Sequence, residues 1–254
     1  PDLDALITGW KPGRMCVIGA RPAVGKTLVG VQIAAVMAQY GGVVYFSGEM
    51  DKPEILTRLN ASIGGVRVNG LERHSLSADE EVRMAQVRPL IESLQLYIND
   101  RARTWDDIEQ VSWDAYRRGD LKMIVVDYLS LYRDGGKHEN VRTDLSAMSR
   151  RAKLLSKRLG ITVVILQQLN RDSEKFGAEK PPTMAHLKDT GSLEQDADLV
   201  ILLHQGLRKN GVTKQFEKSG ELQLIIAKQR NGPTGAIDLI FEGAYARATH
   251  KFHG

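Results

Sequence analysis

Short apolar runs recur along the chain with helix-length stretches between them: Met15–Ala20, Val43–Ser47, Leu94–Ile98, Met123–Asp127, Ile161–Gln167 and Leu199–Leu203. Each is β-branched or aromatic and apolar at consecutive positions, as a strand covered on both faces must be. The stretches between them carry helical spacing. In Arg142–Leu159, Leu145, Met148, Ala152, Leu155 and Leu159 recur at steps of three and four, one continuous apolar stripe. Alternating strands and helices predict an α/β fold, a mostly parallel twisted sheet flanked by helices. The pattern then changes. Glu221–Lys228 and Ile237–Phe241 flank Asn231-Gly232-Pro233-Thr234-Gly235, which predicts a C-terminal antiparallel hairpin with a wide turn. The polar stretches Arg133–Val141, Arg171–Pro182 and Leu207–Gly220 are expected to be mobile loops, and long loops in a compact domain are often functional. No linker or repeat interrupts the pattern, so residues 1–254 are expected to form one domain.

Composition narrows the class. Of 254 residues, 42% are hydrophobic and 26% charged, enough to bury a core without disulfides or structural metal. Cys16 is the single cysteine, which excludes an intrachain disulfide and a thiolate zinc cluster and makes a reducing cytoplasm the expected compartment. No apolar run approaches the roughly 18 residues of a membrane span. The net charge of +4 has no long like-charge run behind it, so it permits a nucleic-acid partner without requiring one. The chain starts at Pro1 with neither Met nor a signal-peptide pattern, which reads as a processed chain or a fragment.

The strongest chemical signal is Gly19-Ala20-Arg21-Pro22-Ala23-Val24-Gly25-Lys26-Thr27, between a predicted strand and the apolar helix Leu28–Met37. That is the context of a phosphate-binding P-loop. Backbone N–H groups of the loop and helix start point at phosphates, and Gly25 lets the backbone close on the anion. Lys26 reaches the β- and γ-phosphates of ATP, and the Thr27 hydroxyl coordinates Mg²⁺. Asp127 ends an apolar strand, as the second metal anchor does. Glu49 lies just past the second strand, where it either polarises an attacking water or stabilises a helix start. Gln167-Gln168 ends the fifth strand, where an amide can sense a γ-phosphate.

Together these stretches resemble the motor domain of bacterial and phage replicative helicases of the DnaB type, a RecA-like P-loop ATPase core, over about Leu3–Ala248. Gly19–Thr27 is similar to the family's P-loop. Phe46–Met50 resembles the segment holding the catalytic Glu, with Gly48 where a larger residue is usual. Asp127-Tyr128-Leu129, Gln168-Leu169-Asn170-Arg171, Ser192–Asp198 and Lys228-Gln229-Arg230-Asn231-Gly232-Pro233 follow in the family's order. The resemblance implies cofactors ATP and Mg²⁺, with Arg21, Ala23, Gly25, Lys26, Thr27 and Leu28 around the nucleotide and Thr27 and Asp127 at the metal. It implies Glu49 as the water-activating residue, and it assigns the sensor to Gln168, since Gln167 replaces a small residue. Lys228 and Arg230, two apart on a strand and so on one face, read either as solvated edge-strand cations or as a two-pronged arginine finger, and the resemblance implies a finger whose phosphate belongs to a neighbouring subunit.

The implied partners are single-stranded DNA and further copies of the chain in a hexameric ring. Lys188 and Gly191, within His186–Gly191, and Arg133 and Lys137, within Arg133–Val141, are the implied DNA contacts. The cations Arg150, Arg151, Lys153, Lys157 and Arg158 read as the polar face of a helix, or else as a subunit contact. Trp105 and Trp113 read as core or interface packing, and Cys16 as a small buried apolar residue. The leading function is therefore an ATP-hydrolysing translocase on single-stranded DNA. A filament-forming RecA-like recombinase or accessory and a low-turnover ATP-binding interaction module are the alternatives.

Overall fold

The computed structural model describes residues 2–135, 141–170, 180–209 and 216–251. A nine-stranded sheet forms its centre. The strands are β1 (Met15–Ala20), β2 (Gly42–Ser47), β3 (Leu96–Asn99), β4 (Leu121–Asp127), β5 (Thr162–Gln168), β6 (Leu199–His204), β9 (Glu221–Gln229), β10 (Gly235–Glu242) and β11 (Arg247–His250). Their spatial order is β11-β10-β9-β6-β1-β5-β4-β2-β3. From β6 to β3 all neighbours are parallel, and from β6 outward to β11 all are antiparallel. The mostly parallel sheet and the C-terminal hairpin thus form as the apolar runs predict.

Alternate residues of each central strand feed two separate cores. Cys16, Ile18, Val43, Tyr45, Val125 and Leu166 face α2 (Lys26–Met37) and α3 (Lys52–Gly64). Val17, Phe46, Ile124, Val126 and Ile165 face α6 (Trp105–Arg118) and α7 (Val141–Leu159). The α7 stripe is buried as the periodicity requires, at Leu145, Met148, Ala152, Leu155 and Leu159. Each large apolar side chain so buried stabilises the fold by about 1.5–3 kcal/mol. Trp105 is buried in the same core, and Cys16 is buried in β1, where burial raises its thiol pKa. Helices α3, α5 (Ala78–Ser93) and α6 each start on a capping box, Asp51 with Glu54, Ser77 with Glu80 and Thr104 with Asp107.

Some expectations are corrected. Leu94 caps α5 instead of opening a strand, and β3 begins at Leu96. Leu207–Gly220 is not simply a loop: β7 (Leu207–Lys209) and β8 (Phe216–Lys218) form a separate two-stranded ribbon. Strand β11, read from no pattern, closes the far sheet edge. The predicted loops at 133–141 and 171–182 fall partly outside the described residues. Among the described residues no helix is long and apolar enough to cross a membrane.

Candidate nucleotide site and a cation pair at the opposite end of the sheet

The loop between β1 and α2 turns through two left-handed residues, Ala23 (φ 58°) and Gly25 (φ 105°). Gly25 is the N-cap of α2 and makes no side-chain cap, unlike the capped starts of α3, α5 and α6. The first N–H groups of α2 are therefore presented to the cleft in front of them, the arrangement that binds phosphate. Phe241 of β10 closes over the loop. A Cβ at position 25 would lie 2.7 Å from its ring edge, so only glycine fits here on both counts. The resulting cleft, about 420 Å³, is lined by the loop residues Ala20 to Ala23 and Gly25 to Leu28, by Glu49, Arg58 and Gln168, and by Phe241.

Asp127, at the end of β4, is buried and gathers three donors. Lys26 Nζ pairs with its Oδ1. Thr27 Oγ1 donates to Oδ2 at 2.7 Å and the Tyr45 hydroxyl donates to the same oxygen at 2.8 Å. Burial, and then the Asp127 charge, push the Tyr45 pKa well above the usual phenol range, so Tyr45 is a fixed neutral donor. Lys26 also lies over the Tyr128 ring, 4.3 Å from its centroid, and 3.9 Å from the half-exposed Glu49 carboxylate. Glu49 thus stands at the cleft rim beside the lysine, past the end of β2. Gly48 is matched to its surroundings, since a Cβ there would meet Leu131 and Tyr132 at 3.2–3.3 Å.

The hydroxyl and carboxylate oxygens of Thr27 and Asp127 are hard donors of the kind Mg²⁺ takes, and they lie beside the lysine and the uncapped helix start. This donor set fits a Mg²⁺-bound nucleoside triphosphate. Of the two glutamines ending β5, Gln168 is exposed and lines the cleft, while Gln167 is buried and donates to Ser130 Oγ at 2.7 Å. Arg21 and Leu28 are mostly buried at the cleft wall.

Lys228 and Arg230 sit elsewhere. Lys228 Nζ donates to the Glu194 carbonyl at 2.6 Å, and Arg230 Nη2 donates to the Gln195 carbonyl at 3.2 Å. These carbonyls belong to the short helix α8 (Gly191–Asp196). Gln229 points the other way, toward the Leu6 carbonyl, as strand alternation requires. Burial and the adjacent Arg230 lower the Lys228 pKa. Register fixes their distance from the P-loop. Arg230 N donates to Asp198 O, and Asp198 N donates to Met15 O, so Arg230 is level with the start of β1. The P-loop follows the end of β1, five residues on, about 17 Å away at a strand rise of ~3.3 Å.

The implied DNA residues are less completely placed. Arg133 is exposed at the root of its loop, where Trp105 N donates to its carbonyl at 2.7 Å. Lys137 lies outside the described residues, as does the side chain of Lys188; the backbones of Lys188 and Gly191 belong to a 3-10 helix (Met184–Thr190) and the start of α8. The α7 cations include the polar helix face expected, with Arg150, Lys157 and Arg158 exposed, but three of the five also meet acidic partners. Arg151 reaches Asp106, Glu109 and Asp134; Arg150 reaches Asp196; Lys153 is buried against Asp198. Their acidic partners come from distant parts of the chain, out of view of local charge spacing. Tyr45, Tyr128, Arg58 and Phe241 were not anticipated at the site. A tyrosine inside an otherwise apolar strand run was the one signal for the first of these.

Sequence and fold comparisons agree with this architecture. Residues 1–250 match the DnaB-like helicase C terminal domain family. The replicative DNA helicase DnaB of Leifsonia xyli is 36% identical over 249 residues, which cover 97% of this chain and 54% of the relative. The chain thus spans about half the length of that curated relative. A solved ATPase domain superposes with a TM-score of 0.88 at 26% identity, covering 99% of this chain and 89% of that one. A DnaB-like replicative helicase, solved with attention to its interactions with primase, gives 0.89 at 26%, covering 99% and 60%. A chain matched from residue 1 to residue 250, whose whole fold superposes on both solved structures, belongs to the DnaB-like helicase C terminal domain family.

Proposed function

We propose that this chain, as one domain, is the ATP-hydrolysing motor of a hexameric helicase that translocates on single-stranded DNA. The observation that carries the reading is a split site. Lys26, Thr27, Asp127 and Glu49 converge at one end of the sheet, while the two finger cations stand about 17 Å off at the other end. As placed, Lys228 and Arg230 do not serve their own P-loop, whereas a ring of identical copies brings each pair to a neighbour's nucleotide.

In this reading the loop N–H groups and Lys26 hold the triphosphate, with Arg21, Ala23, Gly25 and Leu28 shaping the cradle. Thr27 and Asp127 hold Mg²⁺, which when bound neutralises charge on the phosphate oxygens. Glu49 orients and deprotonates the attacking water. Gln168 donates to the γ-phosphate and loses that bond after hydrolysis, and β5 carries the change into the chain beyond it. The neighbour's Lys228 and Arg230 stabilise charge on the transferred phosphoryl group, an effect of about 10³–10⁵ in rate where fingers have been measured. Arg133, Lys137, Lys188 and Gly191 line the DNA path, and their phosphate contacts make the response to DNA salt-dependent.

The test is ATP turnover by wild type and Lys26→Ala at low, stated salt, under conditions where assembly is verified by sizing. Single-stranded DNA should raise wild-type turnover and leave Lys26→Ala inactive. An assembled protein whose turnover ignores single-stranded DNA refutes the translocase reading. Strand exchange between homologous DNAs would put the recombinase first.

A further inference from the structure

The Ser192–Asp198 segment, whose Glu194 and Gln195 carbonyls accept from the two cations, is itself tied to α7 and β1. Both of its terminal aspartates are held from α7. Ser149 Oγ donates to Asp196 Oδ2 at 2.8 Å, with Arg150 Nη1 3.5 Å from Oδ1. Asp198 is buried and accepts at Oδ2 from the Met15 N–H (2.9 Å) and from the buried Lys153 ammonium. Lys153 itself also donates to the Gly13 carbonyl at 3.3 Å. The remaining oxygen, Oδ1, accepts from Arg230 Nη1 at 3.3 Å.

Arg230 is thus fixed at both ends of its residue. Its backbone N–H bonds the Asp198 carbonyl at 2.9 Å, and its guanidinium bonds the Asp198 carboxylate and the Gln195 carbonyl. The guanidinium is otherwise half-exposed, free to present its outer edge to another molecule. Lys228 stands beside it on the Glu194 carbonyl. A flexible arginine loses much rotamer freedom when it must hold one geometry, so a partner that holds it in advance lowers that cost at the moment of reaction.

We propose that Asp198, locked by Lys153 and the Met15 backbone, is the positioning residue that pre-sets Arg230 for the neighbouring subunit's phosphate. This rests on the finger reading above. Asp198 touches no nucleotide; it acts through Arg230. Burial raises its pKa, but the Lys153 bond, the Met15 N–H and Arg230 together hold it below the usual aspartate range, so the carboxylate stays ionised at neutral pH.

The experiment measures kcat and KM for ATP in the assembled protein for Asp198→Asn, Lys153→Met/Asp198→Asn, Arg230→Ala and the combined triple variant. Asp198→Asn leaves a buried lysine unpaired and risks the fold, whereas the paired variant removes both charges and keeps the volume. Each variant's melting and sizing are compared with wild type. The expected result for the paired variant is a loss of about tenfold or more in kcat, with KM within about twofold, and no further loss when it is combined with Arg230→Ala. Mixing it with Lys26→Ala copies, whose own sites are dead but whose cations and anchors are intact, should restore turnover, as it should for Arg230→Ala.

If Arg230→Ala loses turnover but the folded paired variant keeps it, Asp198 is not the positioning residue and the finger reading stands. If the paired loss adds in full to that of Arg230→Ala, or is not restored by Lys26→Ala copies, the inference is likewise overturned. If Arg230→Ala keeps wild-type kcat in an assembled protein, the finger reading falls and the inference with it.

Discussion

Gly25→Ala tests how closely the C-terminal ribbon is fitted to the phosphate loop. Two costs are built into the position. Its φ of 105° lies in a region that residues with a Cβ avoid, which costs about 1–3 kcal/mol. The new methyl would also stand 2.7 Å from Phe241 Cε2, where carbon atoms prefer about 3.5–4.0 Å. Relieving that overlap by moving the ring costs a further ~1–3 kcal/mol, as overpacking does. The sum, about 2–6 kcal/mol, is a large share of the ~5–15 kcal/mol by which domains are stable. Urea unfolding followed by tryptophan fluorescence measures it. Combining the change with Phe241→Ala removes the second cost and leaves the first, so the pair should show a favourable coupling of about 1–3 kcal/mol. Additive effects would show that Phe241 does not close on the loop. A Gly25→Ala cost below about 1 kcal/mol would show that the backbone there is not strained by a Cβ.

Further outcomes follow from the same geometry. Glu49→Gln should lower ATP turnover by about 10²–10⁴ while fluorescent-nucleotide affinity changes only a few-fold; an active variant would remove Glu49 from the chemistry. Arg151→Met strands Asp134, Glu109 and Asp106 and should cost about 1–3 kcal/mol in urea unfolding, with weaker stimulation by single-stranded DNA and an unchanged KM for ATP. Unchanged stability would mean that this cluster is a surface decoration. The Arg67 guanidinium, and then the Ser77 and Arg67 backbone N–H groups, hold the Glu80 pKa well below the usual carboxylate range. A depressed folded pKa gives stability that is complete above the unfolded value of about 4.3 and is lost as pH falls below it. Glu80→Gln should therefore melt earlier at neutral pH and show a flatter decline between about pH 5 and pH 2; parallel wild-type and variant profiles would contradict the assignment.

The parallel half of the sheet was readable because strands buried on both faces are apolar without interruption. Strands outside that environment were not. Arg247–His250 carries no apolar alternation because all four residues are only half-buried at a sheet edge. The β7–β8 ribbon has three residues a side, too short to show a period. At the site, the P-loop was legible because its chemistry is contiguous in sequence. The donors that complete it are not: Tyr45 meets Asp127 across 82 positions, and Phe241 meets Gly25 from the far end of the chain. The acidic partners of Arg150, Arg151 and Lys153 are hidden from local spacing for the same reason, since Asp106, Asp134, Asp196 and Asp198 arrive from three other segments.

The β9–β10 ribbon carries Phe241 at one end and Lys228 with Arg230 at the other. Phe241 N donates to the Gly220 carbonyl, so Lys228 lies eight residues further along β9, about 27 Å at ~3.4 Å per residue. That makes the ribbon a ruler with a parity. Deleting one residue between Glu221 and Lys228 would rotate the cations to the face that Gln229 now occupies, whereas deleting two would restore the face and shorten the reach by about 7 Å. The ribbon's length and its odd–even count are therefore separate constraints, and the bulge at Ala227, between Ile226 and Lys228, is where one odd residue is already absorbed.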